Sequence, residues 1–496
     1  MNYINYTDIL INKSNLAPSQ LAALSINNKN VRLVADFLER PLQKADNGTE
    51  VGTTNYISKS HKFFIKAKAI RPHSFIPLLN AETVNPIRPQ AFQCHDLKES
   101  DIVISKDSNI GAAMMIDEDM PEFMLSGALY KLPVKEYKHY LLAFMKHPYF
   151  HGQLDIMTPK GATIRHAGKR FLDCKIPMPR LNVAASIGYI EMLVKSIISK
   201  EKAIKQKNKE IFDAIKKELC DNVDMDGYDY DYPTIGEIAA HGRFDAAYHC
   251  REFAKLKRLI FGYENGCERL TALGYTISRG QNLQESQIGK SLYSDVKRNN
   301  FYTLARPTNF NEYGVMEKLE YLGNPRKLIC IKAGDIVFSG EGTVGKCVLF
   351  PYENERWITN IHGIILSKKD GNMRESAFVA SFLRYLRSIG YFDYISVGGQ
   401  GGSLAMKYWE DVCIPRFPEE LKSRIANLYY SNKAYPCIEP GDDFREKDFM
   451  WENEAGIIDL DFMIKKIKSE LTYALDTIVN DGEVDTDWSR LGNTSP

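Results

Sequence analysis

One short motif occurs twice in this chain, and the distance between its copies is nearly half the chain. The first copy reads Asp101-Ile-Val-Ile-Ser105 with Gly111 after it, and the second reads Asp335-Ile-Val-Phe-Ser339 with Gly345 after it. The offset of 234 positions that superposes the two aspartates also superposes the serines and the glycines. Because an internal repeat sets the architecture before local propensities do, the sequence predicts two similar units. The alternative is a duplication whose halves pack into one body with one function.

Apolar runs lie on both sides of the Ser-to-Gly turn in each copy. They cover residues 102–104 and 112–116 in the first copy, and residues 336–338 and 347–350 in the second. Short apolar runs around a turn are typical of paired strands. Both copies end in an Ile-Pro pair, at Ile176 and Ile414.

Helical periodicity follows each copy. Apolar residues recur every seven positions after residue 183, and at alternating spacings of three and four after residue 457, which predicts helices with a coiled-coil seam. The seam residues are Ile190, Ile197, Ile204 and Ile211 in the first helix and Leu460, Ile464, Ile467 and Leu471 in the second. Each stripe could instead pack on its own domain.

These patterns predict an α/β (α+β) fold of two similar domains separated by long antiparallel coiled-coil spacer helices. The expected segments are a first domain (1–182), a central spacer helix (183–220), an acidic linker (221–232), a second domain (233–418), a C-terminal helical region (419–480) with an insertion (434–456), and a disordered tail (481–496).

Composition is that of a soluble globular protein, with 44% hydrophobic and 26% charged residues and a net charge of +1. The nine cysteines include no C-x-x-C pair, which argues against a zinc site or a disulfide framework and suits a reducing compartment. Residues 1–20 lack a basic start followed by an apolar run, and no stretch is apolar enough to span a membrane. We therefore expect a cytoplasmic protein without membrane contact.

No catalytic constellation can be assembled from the sequence. Residues 340–346, Gly-Glu-Gly-Thr-Val-Gly-Lys, approach the phosphate-binding P-loop, but Cys347 replaces the magnesium-binding hydroxyl and a strand-like run follows instead of a helix. We expect a non-enzymatic chain that binds no cofactor or metal itself. An enzyme that binds nucleotide through residues 340–346 remains an alternative.

Basic, amide and hydroxyl side chains recur in the loops of both copies. Arg, Gln and Asn can read base edges in the major groove, and basic side chains contact phosphates. The candidate DNA-binding residues are Lys106, Ser108, Lys160, Thr163 and Arg165 in the first copy and Arg279, Gln281, Asn282, Arg306, Asn309, Thr343, Lys346, Gln400 and Ser403 in the second. The alternative for each is a solvated loop side chain.

With these motifs, the chain resembles the specificity (S) subunit of type I restriction-modification systems. The resemblance covers most of the length and rests on segments that stand here as Ala333-Gly-Asp-Ile-Val-Phe-Ser339, Gly398-Gly-Gln-Gly-Gly-Ser403 and Ile414-Pro-Arg-Phe-Pro418, with looser first copies at Ser100-Asp-Ile-Val-Ile-Ser105 and Ile176-Pro-Met-Pro179. The first copy has fewer glycines, and the insertion interrupts the second helical region.

The resemblance implies two target-recognition domains that each read half of a split target in double-stranded DNA. It further implies docking of two methyltransferase subunits and of restriction subunits. S-adenosylmethionine would belong to the methyltransferase partner, and ATP with magnesium to the restriction partner. A recognition subunit of a fused methyltransferase-nuclease system is the other expectation within DNA modification.

Overall fold

The computed structural model describes residues 27–107, 109–158, 166–225, 229–353, 356–398, 402–439 and 442–492, and these mix helix and sheet. The chain divides into two compact units. Unit 1 comprises Met1–Lys202, Cys437–Phe444 and Met463–Gly492, and unit 2 comprises Ala203–Pro436, Arg445–Phe462 and Asn493–Pro496. The seven segment boundaries that were drawn from the sequence motifs stay a prediction.

Unit 1 contains eight short strands among its described residues. They are β1 (Val31–Leu33), β2 (Phe63–Ile65), β3 (Val84–Pro86), β4 (Ile102–Ser105), β5 (Ala113–Met115), β6 (Phe123–Leu125), β7 (Leu129–Leu132) and β8 (Lys175–Pro177). Its helices are α1 (Lys138–Lys146), α2 (Pro148–Met157), the first part of α3 (Val183–Asp221), whose remainder belongs to unit 2, and the larger part of the last long helix (Ile457–Val479).

Unit 2 contains the ten strands that follow in its described part. They are β9 (Cys267–Arg269), β10 (Tyr275–Arg279), β11 (Leu292–Ser294), β12 (Tyr302–Leu304), β13 (Glu320–Gly323), β14 (Ile336–Ser339), β15 (Cys347–Leu349), β16 (Trp357–Ile358), β17 (Gly363–Lys368) and β18 (Cys413–Pro415). Its helices are α4 (Ile235–His241), α5 (Arg251–Phe261), α6 (Glu285–Ile288), α7 (Met373–Ser388), α8 (Tyr391–Ile395), α9 (Glu419–Tyr429), most of α10 (Phe444–Glu454) and the start of α11 (Ile457–Val479).

The strands pair in the same pattern in both units. Strand β4 is antiparallel to β5 and β7, as β14 is to β15 and β17. Strand β2 is antiparallel to β3 and parallel to β6, as β12 is to β13 and β16. The first and last strands of each pattern also pair, β1 with β8 and β9 with β18. The strands predicted around the Ser-to-Gly turn are confirmed.

The central strands of the two patterns, β4 and β14, also pair with their neighbours in the same register. Ile102 pairs with Met115 and Leu132, while Ile336 pairs with Leu349 and Leu366, so all three positions keep the offset of 234 seen in the sequence. Since a slip of one residue would turn every side chain to the opposite face, the two units bury matching positions. Val103 and Val337, for example, both lie in their cores.

The turn after each central strand closes in the same way. The amide of Ser105 donates to Ala112 O at 2.8 Å, and the amide of Ser339 donates to Lys346 O at 2.7 Å. Gly111 and Gly345 then turn back with φ of +79° and +92°, a conformation that favours glycine. A side chain at Gly111 would also collide with Leu154, because a Cβ there would lie 2.2 Å from its Cδ1.

The two long helices carry buried apolar stripes. All eight predicted seam residues are buried: Ile190, Ile197, Ile204, Ile211, Leu460, Ile464, Ile467 and Leu471. Within unit 1, α3 and α11 are joined by the Tyr189 hydroxyl, which donates to Glu470 Oε1 at 3.2 Å, and by the pair of Lys468 and Glu201 at 2.9 Å. Helix α3 lies where the sequence predicts it. Its function as a coiled-coil spacer stays a prediction.

The predicted disordered tail at residues 481–496 is wrong for its described part. Trp488 stacks on Phe444 with ring centroids 3.9 Å apart and also contacts the ring of Tyr189 at 4.4 Å. Leu491 is buried in a helical turn, and its carbonyl accepts from Lys466 Nζ at 3.1 Å. These contacts lie within unit 1 and hold the segment in place. Residues 493–496 lie outside the described residues.

Two cysteines are paired, contrary to the interpretation drawn from their spacing. Cys267 on β9 and Cys413 on β18 form a disulfide across a sequence separation of 146 residues. The sequence places them far apart, but the pairing of the first and last strands of unit 2 brings their Cα atoms to 5.8 Å. Within the described residues, no helix is both long and apolar enough to cross a membrane.

Candidate nucleic-acid interface

Three ionisable side chains from separate segments of unit 2 meet beside the turn that follows β14. Arg279 ends β10, Glu341 lies in the turn, and His362 precedes β17. One carboxylate oxygen of Glu341 is 3.1 Å from Arg279 Nη1, and the other contacts His362 Nδ1. All three side chains are between one third and one half exposed. We call this group the turn cluster. It brings a guanidinium and an imidazole together at the surface of unit 2.

The predicted residues Thr343 and Ser403 lie at the same turn but contribute internal contacts. The Thr343 hydroxyl is 3.0 Å from the Ser339 hydroxyl. The backbone of Ser403 exchanges hydrogen bonds with Val397 at 2.8 and 2.9 Å and bridges to Glu341. These residues therefore shape the turn that carries the cluster.

Unit 1 has a carboxylate at the matching turn position. Asp107 follows β4 as Glu341 follows β14, and its Oδ1 lies 2.6 Å from His166 Nδ1. The imidazole of His166 is 67% exposed, so it faces solvent beside the turn. Lys106, a predicted DNA-binding residue, is partly buried instead, because its ammonium donates to Asn47 Oδ1 at 2.8 Å.

A second group in unit 2 gathers on Glu320 of β13. The predicted residues Arg306 and Asn309 contact its carboxylate, with Arg306 Nε at 3.1 Å and Asn309 Nδ2 at 3.4 Å. The guanidinium also lies 5.3 Å from the centroid of the half-exposed Tyr293 ring. Arg306 is 37% exposed, so part of its fork remains available to a ligand.

Three other predicted residues are engaged in contacts within unit 2. Gln281 exchanges hydrogen bonds with the backbone of Ile329 at 3.1 and 3.3 Å, and Asn282 accepts from the amide of Gln284 at 3.0 Å. Lys346 is only 15% exposed, and its ammonium donates to Phe310 O at 2.9 Å. This placement disfavours a phosphate contact by Lys346.

Five predicted residues lie outside the described residues, and their place in the interface stays a prediction: Ser108, Lys160, Thr163, Arg165 and Gln400.

The sequence reasoning missed four residues at the two turns: Asp107, His166, Glu341 and His362. The sequence did contain a signal for the acids, because a carboxylate stands two residues after the strand serine in both copies. The histidines gave no such signal, since they reach the turns from segments whose position depends on the sheet pairing.

A network of charged groups holds the loop before β3 in unit 1. The ammonium of Lys146, at the end of α1, donates to the carbonyls of Arg71 and Ser74 at 3.0 and 2.5 Å. Glu201 of α3 accepts from the Ser74 hydroxyl at 2.9 Å and from the Phe75 amide at 2.8 Å. Burial lowers the pKa of Lys146 to about 7, although the nearby Glu201 carboxylate favours the charged form. The loop is thus fixed to the helices.

The described residues form no cluster of three or more His, Cys, Asp or Glu side chains that could hold a metal ion. The turn at residues 340–346 leads into strand β15 and not into a helix, and its Lys346 contacts protein atoms. It lacks the helix N-terminus and the free lysine with which a P-loop binds phosphates.

Comparison with known proteins gave matches among solved structures alone. No family model matches the chain, and no curated protein matches it. The S subunit of a type I restriction-modification system from M. genitalium is 11% identical, with 94% of this chain and 98% of that chain covered and a TM-score of 0.41. The HsdS subunit from Thermoanaerobacter tengcongensis is 11% identical, with 94% and 96% covered and a TM-score of 0.27.

A third match is a chain from a structure that describes complex assembly and conformational transition of the type I R-M system. It is 12% identical, with 92% of this chain and all of that chain covered and a TM-score of 0.29. Two of these three structures are S subunits of type I restriction-modification systems and the third is a chain of such a system, and each is similar to this chain over more than nine tenths of its length.

Proposed function

We propose that this chain is the DNA sequence-specificity subunit of a type I restriction-modification system. In this proposal each unit contains one target-recognition domain, the two domains read the two halves of a split DNA target, and the chain itself catalyses nothing. The observation that carries the proposal is the repetition of the same strand pairings and registers in both units, with non-identical side chains at the matching turns. Two related but non-identical recognition domains suit an asymmetric, two-part DNA target.

The exposed side chains of the two units support DNA as the ligand. Arg279 and His362 in unit 2, and His166 in unit 1, lie at the surface and offer N–H donors to base edges or phosphates. Arg306 adds a guanidinium beside an exposed tyrosine ring. With a net charge of +1 the chain lacks a strong overall field, so these local groups must supply the attraction.

The long helices support the expected partners. Their buried stripes would set the distance between the two half-sites, and the helical region would dock two methyltransferase subunits and, through them, restriction subunits. S-adenosylmethionine would then be bound by the methyltransferase partner, and ATP with magnesium by the restriction partner. We place the whole assembly in the cytoplasm.

The test maps methylated adenines in cells with and without this chain, together with its co-purifying partners. We expect a two-part motif with a fixed spacer that disappears when the chain is absent. Methylation without sequence preference, or a motif confined to a single block, would rule the proposal out. The identity of the co-purifying enzyme separates a type I system from a fused methyltransferase-nuclease system.

A further inference from the structure

We propose that the acidic residue of each turn, Asp107 in unit 1 and Glu341 in unit 2, is a specificity-positioning residue. It orients the basic side chains that read DNA, which are His166 in unit 1 and Arg279 with His362 in unit 2. This inference rests on the proposed function, and it assigns a task to two acidic side chains and to the three basic side chains beside them. A carboxylate repels phosphates, so its presence at a DNA-reading turn needs a reason.

The position of the acid is the same in both units. In each unit, the hydroxyl of the serine that ends the preceding strand donates to the backbone carbonyl of the acidic residue. The distance is 2.8 Å from Ser105 to Asp107 O and 3.2 Å from Ser339 to Glu341 O. The acid also forms the bridge to the returning segment, Asp107 with His166 and Glu341 with Ser403. The backbone therefore presents both carboxylates at one site of the fold.

The histidines reach this site from positions that do not match. By the bridges, the position in unit 2 that is equivalent to His166 is Ser403. By the register of β4 and β14, the position in unit 1 that is equivalent to His362 is Ala128. The same carboxylate–imidazole pair is thus built in two ways. Inheritance from a common ancestor explains the shared acid, but a shared requirement at the turn better explains an imidazole that comes from different segments.

The carboxylate of Glu341 is not needed to close its turn. Backbone hydrogen bonds already do so, from Ser339 N to Lys346 O, from Gly345 N to Ser339 O and from Leu404 N to Gly340 O, at 2.7 to 3.1 Å. Its side chain instead spans between Arg279 and His362, which belong to different segments. An exposed ion pair contributes little stability, so the main effect of this carboxylate is to fix the direction of two flexible donors.

Fixing these donors matters for base recognition. A guanidinium reads guanine through two parallel hydrogen bonds to O6 and N7, and this geometry tolerates little rotation. One Glu341 oxygen engages a single guanidinium nitrogen at 3.1 Å, so the fork is oriented while other donors can still reach a ligand. In unit 1 the carboxylate of Asp107 engages Nδ1 of His166, which leaves the opposite edge of the ring directed away from the carboxylate.

The test uses the chain assembled with its methyltransferase partners and duplex libraries randomised in one half-site at a time. We expect Glu341→Gln to reduce discrimination at one base pair of one half-site about tenfold, since a good bidentate contact accounts for roughly that factor. Asp107→Asn should do the same in the other half-site only. Binding to unrelated DNA should strengthen slightly in both variants, because a negative charge beside the phosphates is lost.

Controls separate this positioning from folding. Glu268→Gln removes another surface ion pair of unit 2, with Arg416 at 2.9 Å, and should leave the base discrimination at both half-sites unchanged. The unfolding midpoints of all variants should equal that of the parent chain. If Glu341→Gln and Asp107→Asn keep the full discrimination of a sequence-specific parent, the inference is overturned while the proposed function stands. If the parent assembly reads no sequence, the proposed function itself fails.

Discussion

Lys146 is a partly buried lysine in unit 1 whose ammonium donates to two backbone carbonyls of one loop. A neutral amine can donate the same two hydrogen bonds, while burial penalises the charged form. The pKa of about 7 follows from this balance. In unit 2 the buried Arg384 of α7 is a second inward-facing cation. Its guanidinium lies 4.8 Å from the centroid of the Tyr429 ring and donates to Glu312 O at 3.5 Å.

The lowered pKa of Lys146 predicts a pH dependence of stability in unit 1. Between about pH 7 and the ordinary pKa of 10.5 the unfolded chain binds this proton more tightly than the folded chain, so stability rises with pH in that window. From pH 7 to 8 the gain is about 1 kcal/mol. Urea unfolding of unit 1, followed by pulse proteolysis, measures it.

Lys146→Met should abolish that rise, whereas Lys202→Met, which removes an exposed pair with Glu99, should preserve it. A parent chain whose unit 1 is equally stable at pH 7 and 8 would contradict the assigned pKa.

At the residue scale the sequence singled out three residues that the structure brings to one turn, but it did not single out the ionisable side chains beside them. Arg279, Thr343 and Ser403 were selected from loop composition, and the structure brings them to one turn. Lys346 belongs to the same motif, but it turns inward because a buried carbonyl and Glu312 attract its ammonium. Which way a loop side chain points depends on acceptors that arrive from distant segments, and sequence spacing does not reveal them.

At the scale of elements, the C-terminal segment illustrates a short aromatic anchor. The tail looked disordered because it is polar and lacks periodicity, yet one aromatic side chain, Trp488, inserts between Phe444 and Tyr189. A single large ring can provide enough apolar contact to hold a segment that has no regular pattern.

Trp488→Ala should therefore destabilise unit 1 by about 2 kcal/mol, somewhat less than the loss of a fully buried tryptophan. The neighbouring Ser489→Ala removes an exposed hydroxyl and should have little effect. Hydrogen exchange at α11 and at the start of α3 measures the local loss. If hydrogen-exchange protection is unchanged in Trp488→Ala, the result would support the prediction that this segment is disordered.

The strands and long helices were the elements best predicted from the sequence, because their apolar periods follow directly from burial on one face. Helix α3 lies at Val183–Asp221 and α11 at Ile457–Val479, close to the predicted limits. The insertion was harder to interpret, since its helix α10 carries Phe449 and Met450 exposed beside buried Trp451. Such mixing gives no clean amphipathic signal.

Shortening α3 tests its proposed function as a ruler between half-sites. Removal of seven residues, 204–210, keeps the heptad seam in phase and shortens the helix by about 10 Å, which corresponds to about 3 base pairs at 3.4 Å each. Methylation mapping should show a shorter spacer between unchanged half-sites.

Removal of only two residues rotates the stripe out of phase and should prevent assembly, which serves as the matched control. Half-site sequences that change after the heptad deletion would contradict the ruler.

At the scale of the whole molecule, the two units are not equally constrained. The disulfide closes the strand pattern of unit 2, whereas the register of β1 with β8 places Val31 and Lys175 at the matching positions of unit 1. Only one half of the chain is therefore sensitive to thiol chemistry at this place.

Reduction of Cys267 and Cys413 should lower the stability of unit 2 by roughly 4 to 5 kcal/mol, as expected for a cross-link that closes so long a loop, and leave unit 1 unchanged. Cys267→Ser should reproduce the effect and remove any further response to reductant, while Cys94→Ser, at an exposed free cysteine, should not. Complete alkylation of both thiols in unreduced protein would refute the cross-link.

The identical closure of the two central turns has a practical corollary for engineering. Seven residues, 106–112 and 340–346, join the same two strands in each half. Because both connecting segments have the same length, exchanging them should leave the register of the two strands that they join unchanged.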